Sequence, residues 1–170
     1  MSARTDPDPA EREVRAERLK ERIYLTFAAL AVVLALAAHG PVDAVSALQT
    51  LAVTVFGTLL AIFTADIVSH LVVHERMVTR TELGHAFQTS FGALGAVVLP
   101  FAFLALAAFD VWDPTAALRA STIALVLALV VIGFAAVRRV RLHWWQRLIA
   151  LGAEAVLGLA VIGLQVLAHG

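Results

Sequence analysis

Apolar residues in this chain come in long runs rather than in alternation. Five runs stand out, at residues 23–38, 45–73, 87–109, 117–137 and 148–168, each bounded by charge, Pro or Gly. A bilayer core of about 30 Å takes about 20 apolar residues per helix, with roughly 17–25 the usual range. The pattern predicts an all-α fold: a polytopic membrane bundle of five transmembrane helices, the first span short and the second long. The stretch before the first run is different. Residues 1–22 read as a solvated, charged helical extension, with Asp8 as N-cap, Pro9 at the first helical position, and Glu11–Arg15 and Glu17–Lys20 spaced for surface ion pairs. Two units follow: a cytoplasmic N-terminal extension over 1–22 and a transmembrane domain over 23–170.

Composition strengthens this reading. Of the 170 residues 61% are hydrophobic and 15% charged, against about 45–50% and about 25% in soluble domains. The mean hydropathy of +0.86 excludes a soluble globular domain and a disordered chain alike. Lys+Arg and Asp+Glu both number 13 and there is no Cys, so no net charge points to nucleic acid, and disulfides, thiolate metal sites and cysteine nucleophiles are excluded. What matters is where the basic residues fall. Arg4, Arg12, Arg15, Arg18, Lys20 and Arg22 precede the first run, Arg76 and Arg80 follow the second, and Arg138, Arg139, Arg141 and Arg147 lie between the fourth and fifth; only Arg119 falls on the other side. Basic residues are retained in the cytoplasm, so the N-terminus is expected inside and the C-terminus outside. Trp144 and Trp145 suit the aromatic belt on the cytoplasmic face. Ala35-Leu36-Ala37 has the form of a signal-peptidase site, but the six acids ahead of it cancel the six bases, unlike a secretory signal.

Ionisable residues at membrane depth cost about 2.5–3.5 kcal/mol each at a helix centre, so they turn toward the bundle or toward water. Asp66, His70 and His74 recur every fourth residue and share one face of the second span, widened by Ser69. Thr79-Arg80-Thr81-Glu82 has the form of a capping box that starts the third span near Arg80. From there Glu82, His85, Thr89, Gly92 and Ala96 form a polar-to-small stripe, predicting a tight hairpin with His74 opposite Glu82 and His85. Glu154 lies about 10 Å into the fifth span, a depth similar to that of Asp66. Pro100, near the middle of the third span, removes a backbone bond and can kink the helix, a hinge being one reading and simple packing the favoured one. Thr50, Thr54 and Thr58 read mainly as residues bonding back to their own helix, and the fourth span, without charge beyond Arg119 at its start, as lipid-facing.

The chemistry of these groups defines the candidates. His70, His74, Glu82 and His85 have usable spacing for a divalent metal ion, while Asp66, His70 and Glu154 form a candidate proton or ion pocket. A complete di-iron centre would need carboxylates from further helices, and His74-Glu75 does not begin a zinc-protease motif, because Val78 stands where its second His belongs. G-x-S-x-G, Walker A and G-x-G-x-x-G signatures are absent from the sequence; the chain is not expected to be an enzyme. Arg22-Ile23-Tyr24 entering an Ala/Val/Leu-rich span, followed by Thr64-Ala65-Asp66-Ile67-Val68-Ser69-His70 closing the second, resembles small integral membrane proteins of high-GC Gram-positive bacteria. The resemblance covers the first half of the chain and implies a bacterial plasma membrane, with no activity attached. Two functions stay open. One is a channel or transporter component handling protons or a metal ion, homo-oligomeric or joined to a partner membrane subunit. The other is a non-catalytic scaffold or regulatory subunit whose polar cluster is structural.

Overall fold

The computed structural model describes residues 9–40, 43–74 and 92–139, with Thr79, Arg80, Gly84, Phe87, Trp145, Gly152, Val156 and Gly163. Helix α1 (Pro9–Ala38) starts at a proline, whose missing N–H is no loss in a first turn. It runs unbroken through the charged stretch into the first apolar run, so extension and span are one helix. It stops where the chain turns left-handed: Gly40 takes φ +90°, a conformation that costs an L-side chain dearly. The His39 ring nitrogen Nδ1 donates to the Ala35 carbonyl at 2.6 Å and closes the last turn.

Helix α2 (Ala44–His74) opens on an aspartate cap. The Asp43 carboxylate accepts the backbone N–H of Ser46 at 2.8 Å and its hydroxyl at 2.9 Å, satisfying donors that every helix start leaves free. Thr50 and Thr64 return their hydroxyls to the carbonyls of Ser46 and Leu60, each at 2.8 Å, so Thr50 is bonded back to its own helix as its spacing suggested.

The third apolar run is not one continuous α-helix. A 3₁₀ turn (Ala93–Ala96) ends at Val97 (φ −106°, ψ 0°), and helix α3 (Val98–Ala108) begins there. The break lies at Val97 and not at Pro100, which stands in the first turn of α3, where its N–H would have had no partner. Thr79 is non-helical and Arg80 helical, as the capping box predicts for that boundary; Glu82 lies outside the described residues. Asp110 adopts φ 57° in the turn after α3. The turn is braced by the Trp112 ring meeting Phe103 edge-on, with centroids 5.4 Å apart. Helix α4 (Pro114–Arg139) then repeats the start of α2, with Asp113 accepting the Ala116 N–H at 2.8 Å.

Each helix buries one stripe. On α1 it is Leu25, Ala29, Leu30 and Val33; on α2, Ala44, Ala47, Leu51, Val55 and Leu59; on α4, Ala117, Leu118, Ser121, Leu125 and Leu129. Ala93, Val97, Pro100, Leu104 and Ala107 keep a 3–4 spacing straight across the break, so the heptad-like seam of coiled coils persists although the hydrogen-bond ladder does not. Helix α1 packs against α2 and α4, and α3 packs against the same two, which closes a ring of four with the 3₁₀ turn resting on α1. The fourth run, expected to face lipid, thus contributes a buried face to the bundle through α4. Alanines along these seams let the backbones approach, the usual basis of helix association where no water drives it. Three helices, at Val14–Ala38, Ala44–Val73 and Pro114–Ala136, are long and apolar enough to cross a membrane, and Val98–Ala108 is apolar but shorter. No strand occurs among the described residues.

Candidate functional site

The buried stripe of α2 does not end with apolar residues. Seven residues beyond Leu59 the same face presents Asp66, and one turn later His70, both half-buried, while Ser69 is exposed. The stripe of α1 extends the other way: four residues before Leu25 it presents Glu21, 1% exposed. Helices α1 and α2 pack together, and the carboxyl of Glu21 lies close enough to that of Asp66 to act on it. Two carboxyl groups can bond to each other only while one of them carries a proton. Burying a lone carboxylate is costly, and pairing with a second polar group is the usual remedy.

The surroundings are charged but locally balanced. One turn back on α1, Lys20 donates to Glu17 at 2.6 Å, and both act electrostatically on Asp66. Asp66 lies 22 residues after the start of α2, about 33 Å along the axis, and Glu21 lies 17 before the end of α1, about 26 Å. Measured from the turn that joins the two helices, the pair therefore lies about as far along the axis as a hydrocarbon core of about 30 Å is thick.

Glu21 is the residue that the sequence reading missed. It belongs to the 1–22 stretch expected to be solvated, and only extending the Leu25–Ala29–Val33 spacing backward by one turn would have placed it inside. Of the expected metal ligands, His70 is described and His74 closes α2; the His74 side chain, Glu82 and His85 lie outside the described residues, as does Glu154, the expected partner of Asp66 in an ion pocket. Among the described residues no three His, Cys, Asp or Glu side chains gather in a way that could hold a metal ion.

A second feature lies away from this contact. Helices α3 and α4 form an open apolar groove of about 550 Å³, floored by small residues including Gly95, Ala96, Ala120, Ala124 and Ala128 and flanked by Leu99 and Leu127. Comparison with family models, with curated proteins and with solved structures returned no match.

Proposed function

We propose that this chain is a multi-pass protein of a bacterial plasma membrane, with five spans, its N-terminus in the cytoplasm and its C-terminus outside, and that it handles protons or a cation at the polar contact around Asp66 and His70. The observation that carries this reading is the approach of Asp66 to the buried Glu21 between α1 and α2, because an ionisable group kept at membrane depth and shielded from lipid is a functional residue by default. The twelve basic residues on one side of the sequence, against Arg119 on the other, support the orientation. His74, Glu82, His85 and Glu154 complete the pocket in this reading, as ligands of a divalent ion or members of a proton relay.

The test is ion movement in reconstituted liposomes. Wild-type protein should collapse an imposed pH gradient faster than empty vesicles do, and Asp66→Asn should slow it at least tenfold; equal rates for the two proteins would refute the reading. Metal content of purified wild type against the His70→Ala/His74→Ala double variant separates a metal from a proton. Topology is read from reporters fused at Met1 and Gly170, and a cytoplasmic signal at Gly170 would overturn the orientation.

The groove between α3 and α4 favours a second reading, a non-catalytic subunit that receives a partner helix, since small residues at every fourth position admit close helix approach. On that reading Asp66→Asn leaves ion movement unchanged, and Ala124→Leu shifts the size of the membrane complex on a native gel.

A further inference from the structure

We infer that Arg18 and Arg22 of α1 hold the phosphate of an anionic phospholipid at the cytoplasmic face of the bundle. The inference rests on the membrane reading above, and adds to it a ligand that the contact around Asp66 does not involve. Arg18 and Arg22 are one turn apart on α1, a spacing that makes two side chains neighbours on one helix face. Both are exposed, although Leu25 and Thr26, the next turn inward, are fully buried. The two guanidinium groups thus stand at the rim where the packed part of α1 ends. Neither is spent on an acid of its own helix. Lys20 engages Glu17 at 2.6 Å, Glu21 is enclosed on the core-facing stripe, and among the described residues no ion pair includes Arg18 or Arg22.

Depth selects the occupant. Counted back along the axis from Ala38, Arg22 lies about 24 Å and Arg18 about 30 Å away, against a hydrocarbon core of about 30 Å. Arginines at such a depth extend their long stems toward the headgroups, the layer in which lipid phosphates lie. Tyr24, two residues further in, is exposed as well, and tyrosine collects at that same level of a membrane. On the membrane reading α4, which packs on α1, returns to this side and ends at Arg138 and Arg139, so positive charge from a second helix gathers at the same layer. Basic residues clustered beside a span attract anionic headgroups. Arginine suits the phosphate in particular, because its planar fork pairs two donors with two phosphate oxygens.

The full chain in neutral detergent micelles is titrated with phosphatidylglycerol or with phosphatidylcholine of the same acyl chains, and native mass spectrometry reads the fraction that carries lipid. Phosphatidylglycerol should bind roughly thirtyfold more tightly, the factor expected of two basic residues at an anionic surface. Arg18→Gln/Arg22→Gln should remove most of that difference. Arg119→Gln, which changes an exposed arginine near the start of α4, should leave it as in wild type. Inorganic phosphate in large excess should not displace the lipid, since a free anion has no acyl chains to hold it at the rim. Equal affinity of wild type for the two lipids, an undiminished preference in the double variant, an equal loss in Arg119→Gln, or displacement by inorganic phosphate would each overturn the assignment. Circular dichroism identifies any variant that fails to fold, and the comparison of the two lipids on wild type can refute the site without them. Gradient collapse in liposomes is measured separately: lipid held at Arg18 and Arg22 without ion movement would refute the proposed function and support this inference.

Discussion

Replacing Ser121 tests the packing of α4 where its chemistry is least expected. Ser121 is fully buried on the stripe between Ala117 and Leu125, and its hydroxyl has no hydrogen-bond partner among the described residues. Its neighbour Thr122 behaves differently, donating to the Leu118 carbonyl at 3.0 Å. When the helices separate within the membrane, the Ser121 hydroxyl regains the same recourse, a bond to the carbonyl four residues back. The assembled bundle therefore bears the cost of the unmade bond, roughly 1–3 kcal/mol. Ser121→Ala removes that cost and leaves a gap of about 10 Å³, which at about 24 cal/mol per Å³ takes back only about 0.2 kcal/mol. The expected result is stabilisation by about 1 kcal/mol, a factor of about five in the folding equilibrium. Ser121→Leu should do the reverse, destabilising by roughly 1–3 kcal/mol through overpacking. Reversible unfolding in mixed micelles, titrated with sodium dodecyl sulfate and followed by circular dichroism, reads both. A loss of more than about 1 kcal/mol in Ser121→Ala, or a Leu variant as stable as wild type, would show that this face of α4 is not packed as described.

Three further outcomes follow from the same unfolding assay. Pro100→Ala should destabilise by about 1 kcal/mol through lost packing in the first turn of α3; a gain of about 3 kcal/mol, as when a proline is removed from a helix interior, would put the break at Pro100 after all. Gly40→Ala should cost about 1 kcal/mol because φ +90° suits only glycine, and an unchanged midpoint would refute that turn. The Ser46 backbone and hydroxyl bonds hold the Asp43 carboxyl below its ordinary value of 3.8. A depressed carboxyl stabilises the fold above its unfolded value and loses that contribution as pH falls through the lower folded one. Stability should therefore drop below about pH 4, and Asp43→Asn, which caps without titrating, should flatten that part of the profile; an identical acid limb in both proteins would remove the cap from the account.

How much of this was legible in the sequence differs by element. The apolar runs give α1, α2 and α4 almost directly, because helices of that length and hydropathy have few alternatives. Sequence also placed Asp66 and His70 on one face of α2, since a period of four is visible without neighbours. It did not find the acid that approaches Asp66. Glu21 sits in a run of alternating charges whose local pattern suits a solvated helix, and only the neighbouring helix decides which of those charges is enclosed. The placement of α4 was hidden for a related reason. A helix apolar on every side carries no stripe to say which face is inside, so small residues such as Ala117 and Ser121 were its only signal. The break at Val97 was equally silent, since the 3–4 spacing of Ala93, Val97, Pro100 and Leu104 continues through it, and the residue that suggested a kink, Pro100, lies three residues on.

The lengths of α1 and α2 have a consequence for the membrane itself. At 30 and 31 residues they reach about 45 Å, half as long again as a hydrocarbon core of about 30 Å, and Glu21 and Asp66 stand toward the end away from the turn that joins them. Bilayers differ by several ångströms in thickness, and helices answer by tilting or by drawing their flanks inward. In a thin bilayer the two carboxyls stand among headgroups, where water screens them. In a thick one they enter the acyl region, where each charge is harder to keep. The surroundings of the two acids are thereby tied to lipid chain length, and the same sequence would hold them in water in one membrane and against acyl chains in another.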